Sequence, residues 1–368
     1  GSEMCIRDRP YIGWLDSDEG QVNLALVEGK QDIHVATNVR THEQATLPAG
    51  QYEARLNLKD NILNVPAFTY QSLQKGSLSG QAKVELPSEK RQLKWNAILN
   101  AKDFNPQTIT TAAPVNLLNG EIKANGYAKP NQQIIQFDAI SLKGRMANST
   151  QNEMIELTGK STAAIVFHDE KSGGGFKGFA VRYDGGLNAF NQGKGLLKFN
   201  ISGTPDFIKI AELQHNGVAG KIFASGSVNL KNAIGWDINA SLVRFKPQYF
   251  VSSVKGELSG NLKTQGLWAE NSKRINIEKL NMAGFLNNKV VRGTGNLSMI
   301  VNSNQKGFLP QQFEANNLFL AYGKNQVQAS GNAQNLRLKV NAPAMYELYP
   351  GLRGRTYGYL NVQAQPRL

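Results

Sequence analysis

A unit of strand-like sequence recurs along this chain and constrains its fold more than any single residue does. The first copy reads Ser79-Gly80, Ala82, Val84 and Leu86, then Trp95, Phe104-x-Pro106 and Gly120-Glu121-Ile122. The second reads Ser225-Gly226, Val228 and Leu230, then Trp236, Phe245-x-Pro247 and Gly256-Glu257-Leu258. Trp and Phe stand nine residues apart in both. Ser330-Gly331-x-Ala333 opens a third copy, with Leu336, Leu338 and Val340 where the Trp strand should be. One such unit cannot bury its apolar face alone, so the repeat predicts an array of stacked units. The expected fold class is all-β: an elongated repeat array, a bent sheet or open β-solenoid with an apolar groove, and few short helices. Function is then expected along a surface rather than in one pocket.

Period-two alternation supports this. Tyr52/Ala54/Leu56/Leu58, Leu197/Phe199/Ile201, Ile222/Ala224/Gly226/Val228/Leu230 and Ile275/Ile277 each place one residue type on one side of a strand. Turn signals such as Leu118-Asn119-Gly120, Asn216-Gly217 and Tyr322-Gly323-Lys324-Asn325 separate them. Helical pattern is scarce. Residues 205–213, with an acidic start and Ile210 three residues before Leu213, are expected to form two or three helical turns, and residues 344–348 one more.

Residues 1–9, GSEMCIRDR, do not share the pattern and resemble translated adapter sequence. The only cysteine, Cys5, lies there, so the rest of the chain can form no disulfide. The expected organisation is a β-repeat segment over 10–145, an irregular connecting segment with strands, mainly loop, over 146–195, and a second β-repeat segment over 196–368. No apolar run reaches the roughly 20 residues that span a bilayer. With its atypical start and an end in mid-pattern at Pro366-Arg367-Leu368, the chain reads as an internal fragment.

Gly173-x-Gly175-x-x-Gly178 has dinucleotide-binding spacing, but the residues after it, Phe179 to Tyr183, alternate like a strand instead of opening a helix. The four histidines, His34, His42, His168 and His215, are scattered, and no Cys/His cluster accompanies them. His168-Asp169-Glu170 precedes a Gly-rich stretch and reads as a solvated turn. No clustered acids point to glycoside cleavage. The net charge of +13 is spread thinly rather than gathered in a patch with interleaved aromatics. That argues against nucleic acid and fits anionic membrane surfaces. Trp95 and Trp236 read as packing residues, and the Phe-x-Pro pairs as strand ends, because Pro cannot donate to a ladder. No enzyme, cofactor or metal site is expected.

The order and spacing of Ser225-Gly226-Ser227-Val228-Asn229-Leu230, Trp236-Asp237-Ile238-Asn239-Ala240, Phe245-Lys246-Pro247 and Gly256-Glu257-Leu258-Ser259-Gly260 resemble the repeat region of the TamB/AsmA-like family. The ending Leu348-Tyr349-Pro350-Gly351-Leu352-Arg353-Gly354-Arg355 resembles it as well. The clearest likeness covers about 196–368, and 50–145 matches more loosely. The resemblance implies a Gram-negative envelope protein with an inner-membrane anchor upstream of this chain and a periplasmic β-taco, a bent sheet with an apolar groove. It further implies movement of phospholipid between membranes, a link to outer-membrane biogenesis, and a TamA-type barrel partner met through regions absent here. Acyl chains would then be the ligand. Strand alternation nominates Ile222, Val228, Leu230, Leu258, Leu262, Leu336, Leu338 and Val340 to face them, and Lys221, Asn229, Glu257 and Lys339 to face away. A structural or adhesive β-solenoid of a secreted or surface protein is the alternative reading.

Overall fold

The structure, a computed structural model, describes residues 19–27, 30–39, 48–73, 75–109, 111, 113–147, 154–189, 195–249, 253–303, 312–349 and 351–363. Residues 1–9 with Cys5, His42, and the end at Pro366-Arg367-Leu368 lie outside these. The described chain is almost entirely strand.

A first unit holds β1 (Glu19–Val27), β2 (Lys30–Val39), β3 (Gly50–Lys59), β4 (Ile62–Ser72), β5 (Ser77–Glu85), β6 (Leu93–Phe104), β7 (Val115–Lys129), β8 (Gln132–Met146) and β9 (Met154–Phe167). β10 (Phe176–Ala189) gives its first seven residues, Phe176–Arg182, to the second unit and the rest to the first. The second unit continues with β11 (Gly195–Thr204), β12 (Phe207–Gly217), β13 (Gly220–Asn229), β14 (Ile234–Phe245), β15 (Gly256–Trp268) and β16 (Ser272–Leu286). It ends with β17 (Lys289–Asn302), β18 (Gln312–Tyr322), β19 (Asn325–Asn332), β20 (Asn335–Ala342) and β21 (Thr356–Gln363). From β1 to β9, and again from β11 to β21, each strand pairs antiparallel with the next, giving an open meander. Strands β9 and β10 run through most of residues 146–195, and the Gly173–Gly175 stretch is the positive-φ turn between them, with no helix following.

Helix is confined, among the described residues, to four single 3-10 turns. They are η1 (Pro106–Thr108), η2 (Glu170–Ser172), η3 (Pro247–Tyr249) and η4 (Met345–Glu347). The Phe-x-Pro pairs mark them: β6 ends at Phe104 and β14 at Phe245, and the proline two residues on starts η1 and η3. Proline suits a first helical position because its missing N–H would be unpaired there anyway. η4 falls within the stretch expected to turn at 344–348.

The helix expected over 205–213 is not there. Pro205 and Asp206 form the turn into β12, and Phe207–Gly217 is strand. The apolar spacing of three between Ile210 and Leu213 comes from a β-bulge: Ile210 pairs with Gly226 and Leu213 with Ala224, so Ala211 and Glu212 together oppose Ser225.

The same two-against-one arrangement occurs in β4, β6, β8, β12, β14, β16 and β18, each against the following strand. A glycine adjoins the single opposing residue every time. Gly226 (φ 140°) and Gly260 (φ 145°) show why: a Cβ at either would lie 1.9 Å from a carbonyl oxygen of the next strand. That carbonyl belongs to the strand on the side away from the bulge, and at these positive φ values only a residue without a side chain fits beside it.

Register also corrects the alignment of the copies. Val84–Trp95–Gly126–Ile135 and Val228–Trp236–Gly266–Ile275 are equivalent cross-strand rows. On that register Gly120 matches Gly260 rather than Gly256. Gly80, opposite Leu99, sits one row away from Gly226, opposite Ile238. The glycines followed the bulges, which differ between β4 and β12 in which flank carries them.

Candidate functional site

Each bulge has a second consequence. Skipping one residue swaps the faces to which the rest of the strand points. The apolar residues swap with it. β16 reads Ile275, Ile277, then Leu280, Met282, with Glu278 and Lys279 exposed between them. β12 reads Ile208, Ile210, then Leu213; β8 reads Ile135, Phe137, then Ile140, Leu142. One face therefore stays apolar from end to end of each strand.

In the second unit the rows can be followed across the sheet. Phe199–Leu213–Ala224–Ala240–Leu262–Leu280 is one continuous row. Ile222–Leu242–Gly260–Met282–Gly293–Leu320 is the next. Seven of the eight expected groove residues take their places in this face. Ile222 pairs with Leu242, Val228 with Trp236, Leu258 with Phe245 and Leu262 with Ala240. Leu336, Leu338 and Val340 pair with Gly331, Ala329 and Val327. Leu230 lies one residue beyond the end of β13 and is exposed, its N–H donating to the Asp206 carbonyl in the turn. Leu213, Leu242, Leu280 and Met282 complete the rows and were not among the nominees. Their signal was the spacing of three across a bulge.

Apart from Lys273, the second residue of β16, whose ammonium lies over the Trp268 ring, these face positions inside the strand ends from β11 to β20 carry no Asp, Glu, Lys or Arg among the described residues. The polar exceptions are His215, between Leu197 and Ile222, and Thr264. The Thr264 hydroxyl accepts from Trp236 Nε1 at 3.1 Å and donates to the Asn276 carbonyl at 3.0 Å, which hides both polar groups in the sheet. Nε1 needs such a partner for the indole to lie on an apolar face. Trp236 rests on Gly266, where a Cβ would come within 2.1 Å of the ring; Trp95 rests on Gly126 in the first unit in the same way. The two tryptophans are thus packing residues of the face.

The face is only half covered. Of the eight nominees Leu336 is buried (4% exposed), Leu230 is exposed, and the other six are intermediate. No large side chain among the described residues is fully buried. Lys221, Asn229, Glu257 and Lys339 point to the opposite face. That face is polar, with Ser241 donating to Asn261 Oδ1 and ion pairs Arg244–Glu257 (3.1 Å) and Lys263–Glu278 (3.2 Å).

In the first unit, the ring of Tyr70 stacks at a tilt on Tyr52, with centroids 4.7 Å apart, and edge-on against the nearly buried Phe104 at 6.1 Å. The Tyr52 hydroxyl donates to the Pro48 carbonyl, and burial pushes its pKa up to about 12. A shallow concavity lined by Asn57, Asn64, Gln81, Lys83 and Asn96 lies in this unit, but these are polar-face residues, so it is no part of the apolar face. No group of three or more His, Cys, Asp or Glu is arranged to hold a metal among the described residues.

The family profile described as "TamB, N-terminal domain" matches residues 149–366, more than half of the chain. The chain belongs to the TamB family. A TamB relative, translocation and assembly module subunit TamB of Haemophilus influenzae, is 27% identical over 172 residues. The alignment covers 46% of this chain and 13% of that protein, so the chain spans a small part of its relative's length. The TamB profile takes in β9 to β21 and with them every row described for the second unit. The bulges, the Trp95–Gly126 contact and the Phe104-x-Pro106 turn of β3–β8 repeat the arrangement of the second unit outside the matched span. No helix among the described residues is long and apolar enough to cross a membrane, which says nothing of a β-barrel.

Proposed function

We propose that this chain is one stretch of a phospholipid conduit in the bacterial envelope, serving outer-membrane biogenesis. Acyl chains lie on the apolar face of the second unit, and the polar face is in water. The chain works in the periplasm, with an inner-membrane anchor upstream and an outer-membrane barrel of the TamA type as partner through other regions. The observation that carries this reading is the continuous, half-exposed apolar face from β11 to β20, with Lys273 near one end of β16 as the one charge inside its strands among the described residues. An adhesive solenoid would bury its inner strip, whereas only Leu336 of the nominated strip is buried.

The physical chemistry of transfer follows from uniformity. Each methylene withdrawn from water contributes about 0.8 kcal/mol, so a lipid held by most of its chain length stays on the face. Neighbouring strands offer equivalent contacts at a spacing of about 4.8 Å. A chain sliding along a row from one strand to the next exchanges like for like and meets no deep minimum. Acyl chains have no polar atoms to recognise, so no catalytic group is required.

Substitution of Leu258 and Leu262 by Asp tests the reading. Two carboxylates on a wet, half-open face leave the fold intact, because water reaches them, but interrupt the path of an acyl chain. The double variant, built into the full-length protein, is expected to fold and to fail in restoring lipid traffic to cells lacking the native copy. A folded variant that restores traffic overturns the conduit.

A further inference from the structure

The strands of the second unit end on two rims, and the rims differ in charge. One rim gathers the connections β12–β13, β14–β15, β16–β17, β18–β19 and β20–β21. In these connections, or within two residues of them, stand Lys221, Lys246, Lys255, Lys324, Arg353 and Arg355; none forms a salt bridge with a carboxylate among the described residues, and the Lys324 charge acts on the nearby Glu347 carboxyl. Two further cations there are already matched: Arg244 meets Glu257 at 3.1 Å, and Lys289 meets Glu347 at 3.2 Å. The connections β11–β12, β13–β14, β15–β16 and β19–β20, counted the same way on the other rim, balance Lys231 and Lys273 against Asp206 and Glu270. Lys273 is also engaged, its ammonium 4.8 Å above the Trp268 ring. The sequence adds Lys306 in the β17–β18 connection, so the other rim carries one unbalanced cation against six on this one, and the excess positive charge is concentrated on one rim.

We infer that the cationic rim is a track for the phosphate headgroups of the phospholipids whose chains occupy the adjoining apolar face. This rests on the conduit reading. A phospholipid joins an anion to two apolar chains, and the rim and the face present the complementary pair along the same strands. Successive connections on one rim are two strands apart, about 10 Å. A phosphate leaving Lys246 or Lys255 thus finds further cations along its course at Lys324 and Arg353. Five of the six cations are exposed and Lys246 is half-buried, so phosphate contacts are wet and exchange readily. Tyr249, Tyr346 and Tyr349 share the rim and suit an interface, with an apolar ring and a polar tip.

The test uses the full protein with a photo-crosslinker at Leu262, offered phosphatidylglycerol or a diacylglycerol with identical chains in neutral micelles. The unmodified rim is expected to favour phosphatidylglycerol by about fivefold or more, since cations near a lipid phosphate each contribute on that scale. Lys246→Glu/Lys255→Glu/Lys324→Glu is expected to bring phosphatidylglycerol capture down to the diacylglycerol level and leave diacylglycerol capture unchanged. The corresponding Gln triple variant, gentler on the fold, is expected to fall between. Equal capture of both lipids by the unmodified rim, or a preference that survives both triple variants, overturns the headgroup track and leaves the conduit standing. Failure to capture either lipid at Leu262 overturns both.

Discussion

The backbone N–H of Arg244 donates to Ser259 Oγ at 2.9 Å. Arg244 sits at φ 51° in the bulge of β14, and Ser259 is the single residue opposing it from β15. Asn317 donates to Ser330 Oγ and Asp103 to Asn119 Oδ1 at the same point of their own bulges, both with φ of 46°. A bulge removes an N–H from the ladder, and a short polar side chain across from it restores the partner. The Ser-Gly pairs at Ser259-Gly260 and Ser330-Gly331 are therefore a bulge receptor: serine accepts the stray N–H, and glycine allows the close approach.

Two substitutions separate those roles. Ser259→Ala leaves one partly solvated N–H without its partner and is expected to cost about 1 kcal/mol. Gly260→Ala forces a Cβ onto the Asn281 carbonyl at an unfavourable φ and is expected to cost about 3 kcal/mol. Urea unfolding midpoints would show the ranking. A larger effect for Ser259→Ala would mean that the bulge is held by the hydroxyl and not by the glycine.

The Trp236–Gly266 contact makes a second prediction. Gly266→Ala pushes the indole off its seat and is expected to destabilise by about 1–3 kcal/mol and to alter tryptophan fluorescence. In a Trp236→Leu background the same change should cost much less, giving a coupling energy well above the additivity error of about 0.5 kcal/mol. Additive effects would show that the two residues are not packed together. Gly126 and Trp95 should couple in the same way.

Acid sensitivity should concentrate at η4. Glu347 Oε2 accepts the Lys324 N–H at 2.9 Å, and Lys289 lies beside it, so the carboxyl is held below the ordinary carboxylate value. A folded-state value lower than the unfolded one means stabilisation present above the unfolded value and lost as the pH falls through the folded one. Hydrogen exchange in the β18–β19 hairpin is expected to be slow at neutral pH and to accelerate below the ordinary carboxylate range. In Glu347→Gln that acid step should vanish. An acid step of equal size in the variant would assign it to another group.

Much of the fold could be read from alternation and turn chemistry. Tyr52/Ala54/Leu56/Leu58 lies on β3, a strand without a bulge of its own, so period two holds along it. Phe104-x-Pro106 marks a strand end through local chemistry alone. Reading failed where alternation is interrupted. The three-residue step from Ile210 to Leu213 imitates a helical turn, because a bulge and a helix both bring residues three apart onto one side. Only the partner strand distinguishes them, and pairing is non-local. The same ambiguity hid Leu242 and Leu280, while the copies' glycines stand one or two rows out of line with each other. The nominees Leu258, Leu262 and Leu338 were readable because no bulge interrupts their strands.

The central claim is that lipid lies on one face, and β16 offers the most direct measurement of it. Photo-crosslinkers placed singly from Ile275 to Met282 in the full protein should capture phospholipid at Ile275 and Ile277. They should miss at Asn276, Glu278 and Lys279, and capture again at Leu280 and Met282. The odd-to-even switch across the bulge is the predicted signature of a lipid on this face. Capture of equal strength at Asn276 and Asn281, or no lipid at any of these positions, would contradict the account.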